Sequence, residues 1–188
     1  YVESFRFAPV SNLEFIPGQF LQIIFDVENK GNSELNKYLS FSSSPLKGYI
    51  EVTKRLGEGM FSKRLRELKA GDEVVMRAPL GNCVLNNTDE NIGFLVGGIG
   101  ITPVISIIEY IIDKNLNADV CLFYSNRSED EIAFKEELNR WQSKNSKIKV
   151  IYTITDYEPE DRSCVFGRID KKLVMGKDKR FLQRVVFI

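Results

Sequence analysis

The chain has 188 residues, 43 % of them hydrophobic and 28 % charged, and its 26 basic and 26 acidic side chains leave a formal net charge of zero. This composition excludes a disordered chain and gives no reason to expect a basic surface for nucleic acid or anionic membrane. There is no histidine, which excludes imidazole acid–base catalysis, a Ser-His-Asp triad and a His-ligated metal. Any chemistry must therefore come from other side chains, the backbone or a bound cofactor.

The chain ends and the cysteines give two further expectations. Tyr1 at the start and the strand-like run at 184–188 predict a chain truncated at both ends. The odd number and wide spacing of Cys83, Cys121 and Cys164 predict neither a disulfide framework nor a metal site. We therefore expect buried thiols, no bound metal and a cytoplasmic location. No apolar run reaches the ~18–20 residues needed to span a bilayer.

Short alternating runs dominate the first half of the chain and predict antiparallel strands at residues 3–7, 19–27, 38–42, 48–54 and 73–77. Turn residues such as Pro17-Gly18 and Ser44-Pro45 separate these runs. One helical stretch, at 61–68, interrupts them. We expect an antiparallel β-barrel domain over residues 1–88.

The second half alternates strands with helices, after a polar stretch at 86–91 that we interpret as a linker. Apolar strands are predicted at 92–96, 120–124, 149–154 and 185–188, with helices at about 102–114, 128–142 and 171–174. Ser128 and Glu131 have the spacing of a capping box, which sets the start of the middle helix. We expect a doubly wound α/β domain over 89–188 with a parallel sheet, incomplete at its C-terminus.

The strongest chemical signal is the sequence VGGIGITP at 96–103, which follows a strand and opens a helix. Glycines allow a tight turn and a close approach of the backbone to a ligand, and a helix N-terminus favours anionic oxygens. This arrangement is typical of a nucleotide site at the carboxyl edge of a parallel sheet. A plain strand-to-helix turn is the alternative.

Two segments of the first half could bind a polar ligand. On the predicted strand at 37–45, Ser40, Ser42 and Ser44 fall on one side, beside the cation of Lys37. The segment GEGMFS at 57–62 places glycines and a serine at a helix start, another anion-binding arrangement. The alternatives are a solvated edge strand and an ordinary capped turn.

Arg127 follows the second predicted parallel strand, where a doubly wound sheet reaches the adenosine ribose of a dinucleotide. An arginine at this point suits a 2′-phosphate. A solvated surface arginine is the alternative.

Taken in order, these motifs resemble those of the ferredoxin–NADP reductase superfamily, the two-domain flavin reductases. The resemblance covers essentially the whole chain. Two positions depart from the family pattern: Lys37 replaces an arginine and so loses the bidentate fork, and Leu39 replaces an aromatic that packs on the flavin. The matching segments are 15–20 (FIPGQF), 37–43 (KYLSFSS), 52–54 (VTK), 59–62 (GMFS), 79–81 (PLG), 97–103 (GGIGITP), 124–127 (YSNR) and 167–169 (GRI).

The resemblance implies which residues hold the two cofactors. Ser40, the hydroxyl nearest flavin N5, and Thr102 are the implied catalytic residues. The implied flavin-binding residues are Lys37, Leu39, Ser40, Phe41, Val52, Thr53, Lys54, Gly59, Met60, Phe61 and Ser62. The implied residues around the nicotinamide nucleotide are Gly97, Gly98, Gly100, Thr102, Pro103, Ser125, Asn126 and Arg127.

The resemblance also implies an oxidoreductase that transfers hydride between NAD(P)H and FAD and passes electrons to ferredoxin, another redox protein or a small molecule. FAD is favoured over FMN because the segment at 57–62 suits a pyrophosphate, and NADPH is slightly favoured over NADH because of Arg127. Two alternatives remain: a nucleotide-binding module without turnover, and an electron-transfer subunit of a larger complex.

Overall fold

The structure, a computed structural model, describes residues 1–9, 13–86 and 88–188. The predicted linker at 86–91 includes Asn87, which lies outside the described residues. The strands are β1 (Val2–Phe7), β2 (Phe20–Ile24), β3 (Asn36–Ser40), β4 (Ile50–Arg55), β5 (Val75–Leu80), β6 (Asn91–Gly97), β7 (Asp119–Asn126), β8 (Ile148–Ile154), β9 (Val165–Phe166) and β10 (Val185–Phe187). The α-helices are α1 (Met60–Glu67), α2 (Thr102–Asp113), α3 (Lys135–Lys144) and α4 (Lys171–Lys177), with 3-10 helices at Gly98–Ile101 and Phe181–Gln183.

The chain forms two compact units. The first unit contains Tyr1–Leu85 together with α2, and the second contains Asn86–Ile101 and Lys114–Ile188. Helix α2 therefore makes its main contacts with the first unit, although it lies after β6 in the sequence. The domain limits of 1–88 and 89–188 remain a prediction.

Two antiparallel sheets build the first unit, as the sequence predicts. β1 pairs with β4, and β2 lies between β3 and β5. An isolated bridge between Phe41 and Val52 connects β4 to the chain just after β3. Gly18 has a φ of +99°, and a Cβ there would lie 2.3 Å from the carbonyl oxygen of Cys83, so only glycine suits this turn. The buried core consists of Phe15, Leu21, Ile23, Phe41, Ile50, Val52, Leu56, Phe61 and Leu65.

A five-stranded parallel sheet forms the second unit, in the order β10-β6-β7-β8-β9, which confirms the predicted α/β architecture. Cys121 and Phe123 of β7 pack with Ile151 of β8 beneath Val174 of α4 and Phe181. The sequence does not predict β9, because two residues carry no periodic signal. Among the described residues, no helix is long and apolar enough to cross a membrane.

Helix α3 begins later than the sequence predicts. The predicted start at Ser128 is wrong, since α3 begins at Lys135 after Phe134, whose φ is +59°. A capping box requires the glutamate to reach back to its own serine. The Glu131 carboxylate instead accepts hydrogen bonds from Arg127, at 3.1 and 3.4 Å, so this pairing competes with the cap.

Candidate functional site

A depression of about 510 Å³ lies in the first unit at the start of α1. It brings together residues from β3, β4 and the loop before α1, which are distant in sequence. Six of the predicted flavin-binding residues line it: Lys37, Lys54, Gly59, Met60, Phe61 and Ser62. Glu34, Arg55, Gly57 and Glu58 complete the lining.

The backbone at the start of α1 is arranged to receive an anion. Gly59 is the N-cap and provides no capping side chain, and the first turn contains no acidic residue. The first N–H groups of a helix have no intrahelical acceptor and lie at the positive end of its dipole. The loop is held in place because Gly57 donates its N–H to the Ser62 hydroxyl at 3.3 Å and its carbonyl accepts from Arg66 at 3.0 Å.

Two lysines add positive charge to this depression. Burial lowers the pKa of Lys54, and the nearby positive charge of Lys37 lowers it further. The two lysine ammonium groups and the free N–H groups at the start of the helix are all donors, and a phosphate can accept from them while it reduces the repulsion between the two positive charges. The residues present therefore fit the pyrophosphate of FAD.

A second depression of the first unit, of about 420 Å³, is lined by Phe20, Tyr38, Leu39 and Ser40. Ser40 pairs with Phe20 across the β2–β3 ladder, so the two side chains share a face. The Tyr38 ring meets the Phe20 ring edge to face, with centroids 5.7 Å apart. Leu39 packs partly against the core. The aromatic surface beside Ser40 thus comes from Phe20 and Tyr38, which the sequence prediction did not include.

Three predicted flavin contacts have side chains that are engaged inside the first unit. Phe41 is fully buried and stacks on Phe15 with centroids 3.8 Å apart, and Val52 lies in the same core. The Thr53 hydroxyl is 2.7 Å from the hydroxyls of both Ser4 and Ser42. Phe41, Val52 and Thr53 can therefore meet a ligand only through their backbones.

The hypothesis that Ser42 and Ser44 face a ligand with Ser40 is wrong. β3 ends at Ser40, so strand alternation does not continue to these positions. Both serines are buried, and their hydroxyls bind protein groups: Ser42 binds Glu51 and Thr53, and Ser44 accepts from the N–H of Leu46.

The glycine loop of the second unit lies at the carboxyl edge of its sheet. Gly97 ends β6 opposite Ser125 of β7, and the 3-10 helix begins at Gly98 with a φ of +51°. The Tyr124 hydroxyl donates to the Gly98 carbonyl at 3.0 Å and holds the turn against β7. Gly97 and Gly100 are exposed, and a Cβ on Gly100 would approach only Val96, at 3.8 Å.

Asn126, at the end of β7, is buried, and neither amide atom has a hydrogen-bond partner among the described residues. A buried polar group without a partner is costly, which makes it a strong indicator of an intended ligand. The exposed backbone of the loop and this amide fit a dinucleotide at the carboxyl edge.

Three further predicted nucleotide residues, whose roles stay predictions, have the following surroundings. Arg127 is exposed and forms an ion pair with Glu131, with Nη2 3.1 Å from Oε1. Thr102 is buried and begins α2, and Pro103 follows in its first turn, where its missing N–H costs no hydrogen bond. Thr102 and Pro103 belong to the first unit and the glycine loop to the second.

One acidic cluster in the described part of the second unit has ligand-like spacing. Glu129, Asp161 and Cys164 offer atoms within 4.8 Å of one another. Lys135 already binds Asp161 at 2.9 Å, and Glu129 accepts the N–H groups of Glu160 and Asp161. These contacts give the carboxylates a role in holding the loop together.

Comparison with known proteins agrees with this architecture. The model of the oxidoreductase FAD-binding domain matches residues 2–85, and that of the oxidoreductase NAD-binding domain matches residues 94–183. Together these matches cover most of the chain, which therefore belongs to the oxidoreductases that combine an FAD-binding with an NAD-binding domain.

The curated relatives with similar sequences include NADH-cytochrome b5 reductases. NADH-cytochrome b5 reductase 1 of Emericella nidulans is 30 % identical over 166 residues, and the match covers 82 % of this chain and 54 % of that protein. NADH-cytochrome b5 reductase 1 of Ajellomyces capsulatus is also 30 % identical, and that match covers 94 % of this chain and 60 % of that protein. The chain thus spans little more than half the length of these relatives.

Solved structures share the fold. The cytochrome b5 reductase domain of Ulva prolifera nitrate reductase superposes with a TM-score of 0.78 at 21 % identity, covering 93 % of this chain and 75 % of that one. Ferredoxin-NADP+ reductase from Plasmodium falciparum superposes with a TM-score of 0.78 at 19 % identity, and the match covers 100 % of this chain and 77 % of that one.

Proposed function

We propose that this chain is the cofactor-binding part of a reductase that passes electrons from a reduced nicotinamide, through FAD, to a redox protein. The observation that carries the proposal is the pair Lys37 and Lys54 at the start of α1. Burial and the nearby charge of Lys37 lower the pKa of Lys54, and an anion such as the pyrophosphate of FAD would relieve the repulsion between the two lysines.

Each part of the first unit has a role in this proposal. Lys37, Lys54 and the N–H groups that follow Gly59 bind the phosphates. Phe20 and Tyr38 provide apolar surface for a planar ring system, and Ser40 presents a hydroxyl beside it. Bound FAD supplies the redox chemistry, since it takes up the hydride that a reduced nicotinamide gives up and releases the two electrons to an acceptor singly or in pairs.

We assign NADH as the dinucleotide, against the sequence-based preference for NADPH. A 2′-phosphate needs an available cation, and the Arg127 guanidinium is already paired with Glu131. The phosphate would have to displace that carboxylate and would be repelled by its charge. A plain ribose needs only hydrogen bonds, which the unpartnered amide of Asn126 can provide.

The acceptor we propose is a one-electron redox protein such as cytochrome b5 or ferredoxin. The names of the curated relatives and of the structural neighbours support this class. Cys83, Cys121 and Cys164 are all free thiols, which supports the reducing cytoplasm as the compartment. The expectation that all three are buried is wrong for Cys83, which is exposed.

The test is the colour of the purified chain under anaerobic conditions. We expect yellow protein whose flavin absorbance is bleached by NADH and returns when cytochrome b5 or ferredoxin is added. Bleaching that only free small molecules reverse would contradict the protein acceptor. Colour that NADH does not bleach would favour the non-catalytic binding module. Colourless protein that takes up no added FAD would overturn the proposal.

A further inference from the structure

The segment that follows β3 is held by the middle and end of helix α2. The Ser106 hydroxyl donates to the Ser43 carbonyl at 2.7 Å. The Glu109 carboxylate accepts the N–H of Ser44 at 2.7 Å, and Lys47 binds Glu109 at 3.4 Å. All of these residues belong to the first unit.

The serine groups in these contacts are buried, whereas the side chains of Glu109 and Lys47 are partly exposed. Ser43, Ser44 and Ser106 are 1 %, 0 % and 0 % exposed. Hydrogen bonds in such surroundings are stronger than in water, and the bond from Ser44 is further strengthened by the charge of Glu109. Without its partner the Ser44 N–H would be buried and unsatisfied, so the segment would have to move to recover a hydrogen bond.

The same segment is also held from the side of β4. The Ser43 hydroxyl accepts the N–H of Glu51 at 3.1 Å, and Ser42 donates its N–H to the Glu51 carbonyl at 2.8 Å. Residues 42–44 are therefore fixed on two sides and transmit the position of α2 to the end of β3.

The two ends of this connection lead to Ser40 and Thr102, the two residues whose catalytic role the family resemblance implies. Ser40 ends β3, three residues before Ser43. Thr102 begins α2, and Ser106 follows it by about one helical turn, a rise of roughly 6 Å. A helix is stiff over this length, so the anchors at Ser106 and Glu109 fix where Thr102 stands relative to Ser40.

We propose that Ser106 and Glu109 are positioning residues for the transfer of hydride to FAD, and this inference rests on the proposed function. They act by fixing the Thr102 end of α2 against the strand that carries Ser40. Hydride transfer needs the reacting atoms about 3–3.5 Å apart, and a misplacement of about 1 Å can slow a reaction by about 100-fold. Loss of either anchor should therefore slow flavin reduction while leaving both cofactors bound.

The experiment uses the FAD-loaded full chain and the variants Ser106→Ala and Glu109→Ala. Anaerobic stopped-flow mixing with NADH gives the limiting rate of flavin reduction and the dissociation constant of NADH. FAD content and the thermal midpoint are measured on the same samples. Asp113→Asn is the matched control, because Asp113 also binds Lys47, at 3.0 Å, but does not accept the Ser44 N–H.

We expect both alanine variants to lower the limiting rate about tenfold, with FAD content and NADH dissociation constant within a factor of two. Glu109→Gln keeps an acceptor oxygen and should recover most of the rate, and Asp113→Asn should match the parent. If the alanine variants have a lower thermal midpoint but an unchanged limiting rate of flavin reduction, Ser106 and Glu109 only stabilise the fold, and the inference is overturned. If Ser106→Ala fails to fold, the two Glu109 variants decide the question.

Failure of the proposed function gives a different result. In that case the parent chain itself either binds no FAD or is not reduced by NADH, and the inference falls with it. If the parent is reduced and all variants are reduced equally fast, only the inference is wrong.

Discussion

The two candidate cofactor sites use different chemistry for related ligands. The depression of the first unit carries net positive charge, because Lys37, Lys54 and Arg55 outnumber Glu34 and Glu58 beside the uncapped start of α1. The second unit presents exposed glycine backbone and the unpartnered amide of Asn126, while Arg127 is paired with Glu131. The first arrangement suits tight retention of a ligand with a doubly charged pyrophosphate, and the second suits a ligand that exchanges, in line with our proposal.

This difference matches the two roles that we propose. A resident cofactor benefits from strong, charge-assisted contacts that slow its release. A substrate that binds and leaves in each cycle is better served by neutral hydrogen bonds and a preformed backbone turn. Four substitutions test whether the two sites differ in this way.

The largest effect is expected from Lys37→Ala. Losing a charged hydrogen bond should weaken FAD retention by roughly 1.5–3 kcal/mol, or about 10- to 150-fold. The measurement is the dissociation constant of FAD by fluorescence quenching on the apoprotein. Lys63→Ala removes an exposed lysine of α1 that does not line the depression and should leave the constant unchanged. If Lys37→Ala and Lys63→Ala weaken FAD binding equally, the overall positive charge of the surface, and not this depression, holds FAD.

Asn126→Leu should give opposite changes in stability and binding. Removing an unpartnered buried amide should raise the free energy of unfolding by about 1 kcal/mol, while the dissociation constant of NADH rises about tenfold. Thr153→Val is the matched control, because the Thr153 hydroxyl is also buried without a partner. β7 and β8 pair Thr153 with Ser125 and Asn126 with Ile154, so Thr153 and Asn126 face opposite sides of the sheet. Weaker NADH binding by both variants would contradict the role of Asn126.

The pH dependence of FAD binding should reveal Lys54. Its pKa lies below that of an ordinary lysine, so it loses its proton at a lower pH than a free lysine, for which the pKa is about 10.4. The protonated form binds the anion, and FAD affinity should therefore fall over an alkaline pH range that lies below the range in which an ordinary lysine loses its proton. Lys54→Arg stays charged throughout this range and should flatten the profile. An identical fall in both proteins would place its cause in FAD itself.

The smallest effect is expected from Glu131→Gln. Exposed ion pairs contribute at most about 1 kcal/mol, so freeing Arg127 should raise kcat/KM for NADPH relative to NADH by about threefold. Arg127→Ala should leave NADH use unchanged. If Glu131→Gln instead lowers kcat/KM for NADPH relative to NADH, the ion pair itself forms part of the dinucleotide site.

The sequence predicts well where a motif is local. The start of α2 at Thr102-Pro103 and the glycine loop before it follow from residue chemistry within eight positions. The antiparallel and parallel halves follow from alternation and from continuous apolar runs. These features need no knowledge of distant partners.

The sequence cannot show which side chains are already engaged. Ser42 and Ser44 look available beside Ser40, yet strand β4 and the turn itself take up their hydroxyls. Arg127 looks free for a phosphate, but Glu131 captures it and thereby also removes the predicted capping box. The aromatic surface beside Ser40 depends on the pairing of β2 with β3, although Phe20 stands in a recognisable PGQF segment.

The unpartnered amide of Asn126 has a consequence for the life of the protein in the cell. A chain that keeps a buried polar group unsatisfied when empty gains stability when a ligand completes its hydrogen bonds, by about 2.7 kcal/mol at a ligand concentration 100 times the dissociation constant. The empty form unfolds more often and is the form that proteases remove first. If NADH binds at Asn126, it should therefore raise the thermal midpoint of the chain and slow its proteolysis.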